Sequence, residues 1–118
     1  MPRKRRSFKY ICEIRPTIGT VDIVVTVIKF QSLKEFVRGS ETHRVAEILV
    51  GDRTGITTLV VWDDLIDKVE ERKTYIIRNL RPKIYKNQMR VICTKNSTIE
   101  EAPFRIPISE INVSPKLH

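Results

Sequence analysis

Two rings in a cationic setting are the chemistry this sequence offers. Trp62, the sole tryptophan, closes the run L-V-G-D-R-T-G-I-T-T-L-V-V-W, and Tyr85 follows in R-P-K-I-Y-K, residues 81–86. Exposed rings stack on unpaired nucleobases while neighbouring cations follow the phosphates. Bond-making chemistry has less material. The histidines are His43 and His118, and Cys12 and Cys93 are far apart with no further Cys, so a zinc knuckle, a CxxC redox pair or a His-based triad has nothing to be built from. Both cysteines are expected as small core residues. Asp63, Asp64 and Asp67 could hold Mg²⁺, but capping of a short helix and complementing its dipole explain them more simply. No catalytic residue, metal or cofactor is expected.

The rings must be positioned by strands. Residues 21–31, V-D-I-V-V-T-V-I-K-F-Q, are dense in β-branched side chains and predict a long strand. Residues 32–42, with Gly39 and Ser40 amid mixed polarity, are expected as a loop carrying the ligand-clasping candidates Lys34, Phe36 and Arg38. A second strand follows over about 43–50, a turn over Gly51–Gly55, and a third strand over 57–62. The Asp-led stretch 63–71 predicts one short helix. Strands return over 73–80 and over 83–94 around a Lys86-Asn87 turn. This order is that of an all-β, five-stranded OB-fold Greek-key barrel with one short helix between strands 3 and 4. The expected organisation is a basic N-terminal tail (1–10), the barrel (11–99) and a Pro-containing extended arm (100–118) that wraps the barrel or docks on another subunit.

Alternation gives the third strand two faces, Thr57, Leu59 and Val61 on one, Ile56, Thr58, Val60 and Trp62 on the other. The compact set belongs in the barrel, which places Trp62 outside. A two-residue Lys86-Asn87 turn sets Tyr85 opposite Gln88, Ile84 opposite Met89, Lys83 opposite Arg90 and Arg81 opposite Ile92. Ile84, Met89 and Val91 then face inward, and Arg81, Lys83, Tyr85, Gln88 and Arg90 outward.

Charge points the same way. The formal net charge is +8, from 22 Lys and Arg against 14 Asp and Glu, a balance that suits an anionic partner, most often nucleic acid. Arg3, Lys4, Arg5 and Arg6 form a basic run suited to phosphate contact, nuclear import or solubility. Residues 72–99 hold eight Lys or Arg and no carboxylate. No stretch is apolar enough for a membrane span or a signal peptide, so an intracellular protein is expected, in cytoplasm or nucleoid if archaeal, in the nucleus if eukaryotic.

The run V-A-E-I-L-V-G-D-R-T-G-I-T-T-L-V-V-W with the later I-Y-K-N-Q resembles the simple single-OB single-stranded DNA-binding proteins of archaea and their eukaryotic counterparts in DNA damage-sensing complexes. Replication protein A OB domains are more distant relatives of the same pattern. The likeness spans roughly 14–99. It implies base stacking by Trp62 and by Tyr85, where the family usually has Phe. Four residues earlier the family often has another ring; here stands Arg81, whose guanidinium can stack on a base and bind phosphate. The long partner-recruiting tail common in the family has no counterpart in this sequence.

The expectation is a non-enzymatic protein that coats and protects single-stranded DNA in replication and repair with little sequence preference. Trp62, Tyr85 and Arg81 are the stacking candidates, and Lys83, Lys86, Arg90 and Arg44 the phosphate contacts. The rivals are an OB-fold scaffold that binds a protein partner through residues 100–118, and an RNA-binding OB protein.

Overall fold

A computed structural model describes residues 8–16 and 19–113. The basic run Arg3–Arg6 and residues 114–118 lie outside that range. Five strands, β1 (Val21–Arg38), β2 (Glu41–Asp52), β3 (Gly55–Trp62), β4 (Thr74–Tyr85) and β5 (Gln88–Glu101), close into a barrel in the order β1-β2-β3-β5-β4. All neighbours are antiparallel except β3 and β5. The five-stranded OB-fold barrel is thus observed.

The barrel closes because every strand turns one β-branched or aliphatic face inward. Ile23, Val25 and Val27 of β1, Ile48 and Val50 of β2, Leu59 and Val61 of β3, Ile77 and Leu80 of β4 and Val91 of β5 are fully buried. Each such side chain contributes roughly 1.5–3 kcal/mol relative to exposure. The alternation predicted for β3 holds, with Leu59 and Val61 inside and Trp62 outside.

Some expectations are corrected. Residues 32–38 are not a loop: β1 continues to Arg38, turns over Gly39 (φ 62°) and Ser40, and pairs with β2 from Arg38↔Glu41 back to Ser32↔Glu47. Register shifts between Val27 and Lys29 and between Phe30 and Ser32 let β1 part from β4, which it pairs only through Thr26, and run on with β2 as a two-stranded arm. The expected short helix between strands 3 and 4 is present as a 3₁₀ helix, Asp63–Lys68, but the expected side-chain cap is not made. Asp63 has φ 49° and serves β2 instead, accepting the Arg44 N–H on Oδ1 at 2.9 Å. Cys93 is buried as expected, but Cys12 is exposed on a 3₁₀ turn, Ile11–Glu13.

The Gly51-Asp52-x-Thr54-Gly55 motif is a fastening. Asp52 Oδ1 accepts the Thr54 N–H and hydroxyl, Oδ2 accepts the Ile11 N–H, and its carbonyl accepts the Asn112 N–H. One side chain thereby ties the β2–β3 turn to the N-terminal segment, and its backbone holds the C-terminal arm. Gly51 leaves room for that arm, since a Cβ there would lie 2.5 Å from Ile111 Cγ2. Farther back, Ile106 is held by Thr26 Oγ1 donating to its carbonyl at 2.7 Å and by its own N–H reaching Thr74 Oγ1 at 2.9 Å. Ile106 and Ile111 are both buried, so the described arm packs on its own barrel.

Candidate nucleic-acid interface

The outward residues of neighbouring strands form one continuous face. Cross-strand pairing aligns Lys34, Val45 and Trp62 in a row, and Ser32, Glu47, Val60 and Ile92 in the next. At the far side the β4–β5 hairpin adds Arg81, Lys83, Tyr85 and Arg90. Its register is the one the sequence predicts, Tyr85↔Gln88, Ile84↔Met89, Lys83↔Arg90 and Arg81↔Ile92. Lys86 and Asn87 both take positive φ, 51° and 65°, as a tight two-residue hairpin turn requires. Ile84, expected inside, is 53% exposed because the hairpin runs past the barrel's end.

Both expected rings are accessible, Trp62 at 39% and Tyr85 at 49% exposure. Trp62 is braced edge-on by Phe36 of the arm, centroids 6.3 Å apart, and Phe36 stacks on His43 at 5.5 Å. Phe36 therefore anchors the arm to the tryptophan, and Arg38 lies 5.9 Å over its ring. Tyr85 has the Arg90 guanidinium 4.5 Å from its centroid and Lys86 Nζ at 5.3 Å. Both cations are cation–π partners of the phenol ring, which is half exposed.

The cations divide into two kinds. Arg81, Lys83, Lys86, Lys34 and Arg38 form no ion pair among the described residues. Arg90 does: its guanidinium is 3.0 Å from Glu47 Oε2, and Ser32 Oγ donates to Glu47 Oε1 at 3.3 Å. Its side chain is only 17% exposed. Arg44 is engaged as well, with Nη2 donating to Asp67 Oδ2 at 2.9 Å and to the Asp63 carbonyl at 3.2 Å. That bond to Asp67 raises the Arg44 pKa and lowers the Asp67 pKa. Asp63 is lowered too, first by the Arg44 N–H and next by His43 Nδ1, 3.0 Å away. Arg44 and Arg90, both expected at phosphates, thus face carboxylates that no local spacing disclosed.

Cys93 lies under this face and its thiol is pushed up to about 12 by burial, which keeps it protonated at neutral pH. Among the described residues no group of His, Cys, Asp or Glu could hold a metal ion, and no helix is long and apolar enough to cross a membrane.

Residues 14–101 match the family described as single-stranded DNA binding protein Ssb-like, OB fold. An uncharacterized protein of Arabidopsis thaliana is 34% identical over 80 residues, covering 67% of this chain and 52% of that protein. The single-stranded DNA binding protein Ssb of Saccharolobus solfataricus is 22% identical over 89 residues, 75% of this chain and 60% of its own length. The chain thus spans little more than half the length of these relatives. The replication factor A related protein of Methanobacterium thermoautotrophicum has the same fold, with a TM-score of 0.70 at 19% identity over 82% of this chain and 92% of that one. With the barrel, its outward rings and the matched residues in view, the chain belongs to the Ssb-like OB-fold family of single-stranded DNA-binding proteins.

Proposed function

We propose that this protein binds single-stranded DNA with little sequence preference and shields exposed strands in replication or repair. Bases stack on Trp62 and on Tyr85, and Arg81, Lys83, Lys86 and Lys34 neutralise phosphates. The observation that carries this reading is the coincidence, on one outward face, of two accessible rings and cations with no carboxylate partner among the described residues. Stacking accepts any base, because every base has a π-face. Arg90 lies against the Tyr85 ring, and Arg44 fixes the turn after Trp62. Ile106 and Ile111 are committed to the barrel itself, which leaves Phe104 and Val113 as the exposed apolar residues of the arm that a scaffold reading would need.

The test is titration of oligo(dT) into wild type, Trp62→Ala and Tyr85→Ala at two salt concentrations. Each substitution is expected to cost about 1–3 kcal/mol of binding with folding retained. About four neutralised phosphates give a slope of log affinity against log salt near −3, at ~0.7 per contact for single strands. Competition with a matched RNA oligonucleotide decides between DNA and RNA, since stacking alone does not read the 2′-OH. Wild-type affinity in both variants would overturn the proposal.

A further inference from the structure

The binding face does not stop at Trp62. Pairing between β3 and β5 is confined to Thr58↔Arg90, Leu59↔Val91 and Val60↔Ile92. Beyond it β3 turns into the 3₁₀ segment, while β5 bulges over Thr94–Ser97, where its register with β4 jumps from Leu80↔Cys93 to Arg78↔Thr98. The gap between the parting strands is a cleft of about 430 Å³ beside the indole, lined by Leu65 and Cys93 and edged by Asp63, Thr94, Lys95 and Ser97.

The edge is built rather than loose. Thr94 Oγ1 and Ser97 Oγ both donate to the Asn79 carbonyl, at 3.2 and 2.7 Å, and Ser97 Oγ accepts the Thr94 N–H at 2.7 Å. Asn79 Nδ2 donates in turn to the Asn96 carbonyl at 2.9 Å. The hydroxyl protons are thus committed to the protein and give a base edge no donor to read. Lys95, within the bulge, is exposed and forms no ion pair among the described residues.

On the side of Trp62 away from Tyr85 a strand meets two hollows. On the β2 side lies a hollow edged by Glu41, Thr42, His43, Arg44, Asp63 and Asp64. Its arginine is already bound to Asp67 and it is edged by three carboxylates, Glu41, Asp63 and Asp64, so a phosphate there is repelled; of these the β5-side cleft shares only Asp63, which is engaged by the Arg44 N–H and His43. On the β5 side lies the cleft with Lys95. We infer that the nucleotide next to the one stacked on Trp62 seats in the Leu65–Cys93 cleft, with Lys95 on its phosphate and no selection for its base. This extends the single-stranded DNA reading and rests on it.

The experiment measures binding of an oligo(dT) ladder, lengthened one nucleotide at a time, to the full chain, Lys95→Ala and Arg105→Ala. Arg105 is exposed on the C-terminal arm and does not line the cleft, and its substitution removes the same charge. The expected result is that Lys95→Ala loses one affinity increment along the ladder and has a salt slope shallower by about 0.7. Between 50 and 200 mM salt, wild type then loses about 2.6-fold more affinity than the variant. Arg105→Ala should match wild type in both respects. Equal effects of the two substitutions, or none from Lys95→Ala while wild type binds tightly, overturn the cleft assignment and leave the proposed function standing. Failure of wild type to bind any oligonucleotide overturns the proposed function, and the cleft assignment with it.

Discussion

Two sets of cations, one unpaired beside the exposed rings and one joining distant elements, are the same residue types used differently. Among the described residues Arg81, Lys83, Lys86 and Lys34 have no carboxylate partner, whereas Arg44 is paired with Asp67, Arg53 with Glu110, and Arg78 with Glu100. The paired set joins elements distant in sequence. Arg53–Glu110 joins the β2–β3 turn to the C-terminal arm, Arg44–Asp67 joins β2 to the 3₁₀ turn, and Arg78–Glu100 joins β4 to β5. Unpaired cations are costly to hold close together through mutual repulsion, and an anionic strand relieves that repulsion while releasing counterions. Net charge alone therefore says little about where the anion goes. The coincidence of unpaired cations with exposed rings does.

The sharpest way to break this contrast is to neutralise each set. Lys34→Ala, Arg81→Ala, Lys83→Ala and Lys86→Ala combined should flatten the salt slope from about −3 toward zero, at ~0.7 per lost contact. Arg44→Ala, Arg53→Ala and Arg78→Ala combined should lower the melting temperature and leave the slope unchanged. Equal slopes for the two combinations would erase the distinction.

Next in size is a change that touches only the fastened side. Gly51→Ala sets a methyl against Ile111 Cγ2, with Ile56 Cγ2 at 3.1 Å and the Gly55 carbonyl at 3.2 Å. Overpacking of this kind costs about 1–3 kcal/mol, readable by urea denaturation, and oligonucleotide affinity of the folded fraction should be retained.

Glu47→Gln tests the paired cation within the ring face. Without the carboxylate, Arg90 joins the unpaired set, and the salt slope should steepen by about 0.7 if it reaches a phosphate. An unchanged slope would show that Arg90 stays on Tyr85 irrespective of Glu47.

The smallest effect concerns pH. Asp63 and Asp67 have lowered pKa values in the folded chain, so the stabilisation they provide is complete above the ordinary aspartate range and is lost as pH falls through their depressed values. Asp63→Asn should remove part of the acid limb of the curve of melting temperature against pH and leave the neutral plateau lower.

What the sequence disclosed and what it withheld follow from the range of the interactions involved. The β4–β5 register was legible because Lys86-Asn87 is a local turn and the strands it joins alternate cleanly. Trp62 was legible as outward because Leu59 and Val61 claim the inside. The arm over 32–38 was not, since a two-stranded ribbon beyond the barrel has two wet faces and Leu33 and Val37 remain exposed, so no apolar alternation marks it. The partners of Arg44 and Arg90, Asp67 and Glu47, come from other strands or turns and are set by barrel closure, which no short window of residues encodes. Asp63 read as a helix cap because its type and position fit one, whereas its positive φ turns its carboxylate to serve β2.

The most direct test of the central claim is the map of backbone amide shifts when oligo(dT) is added to the isotopically labelled protein. The expected map has its largest changes over Thr58–Trp62, Lys83–Arg90 and Lys34–Phe36, with Asp52–Thr54 and Arg78 unmoved. Largest changes around Arg53, Arg78 and the C-terminal arm, with Trp62 and Tyr85 unmoved, would contradict it.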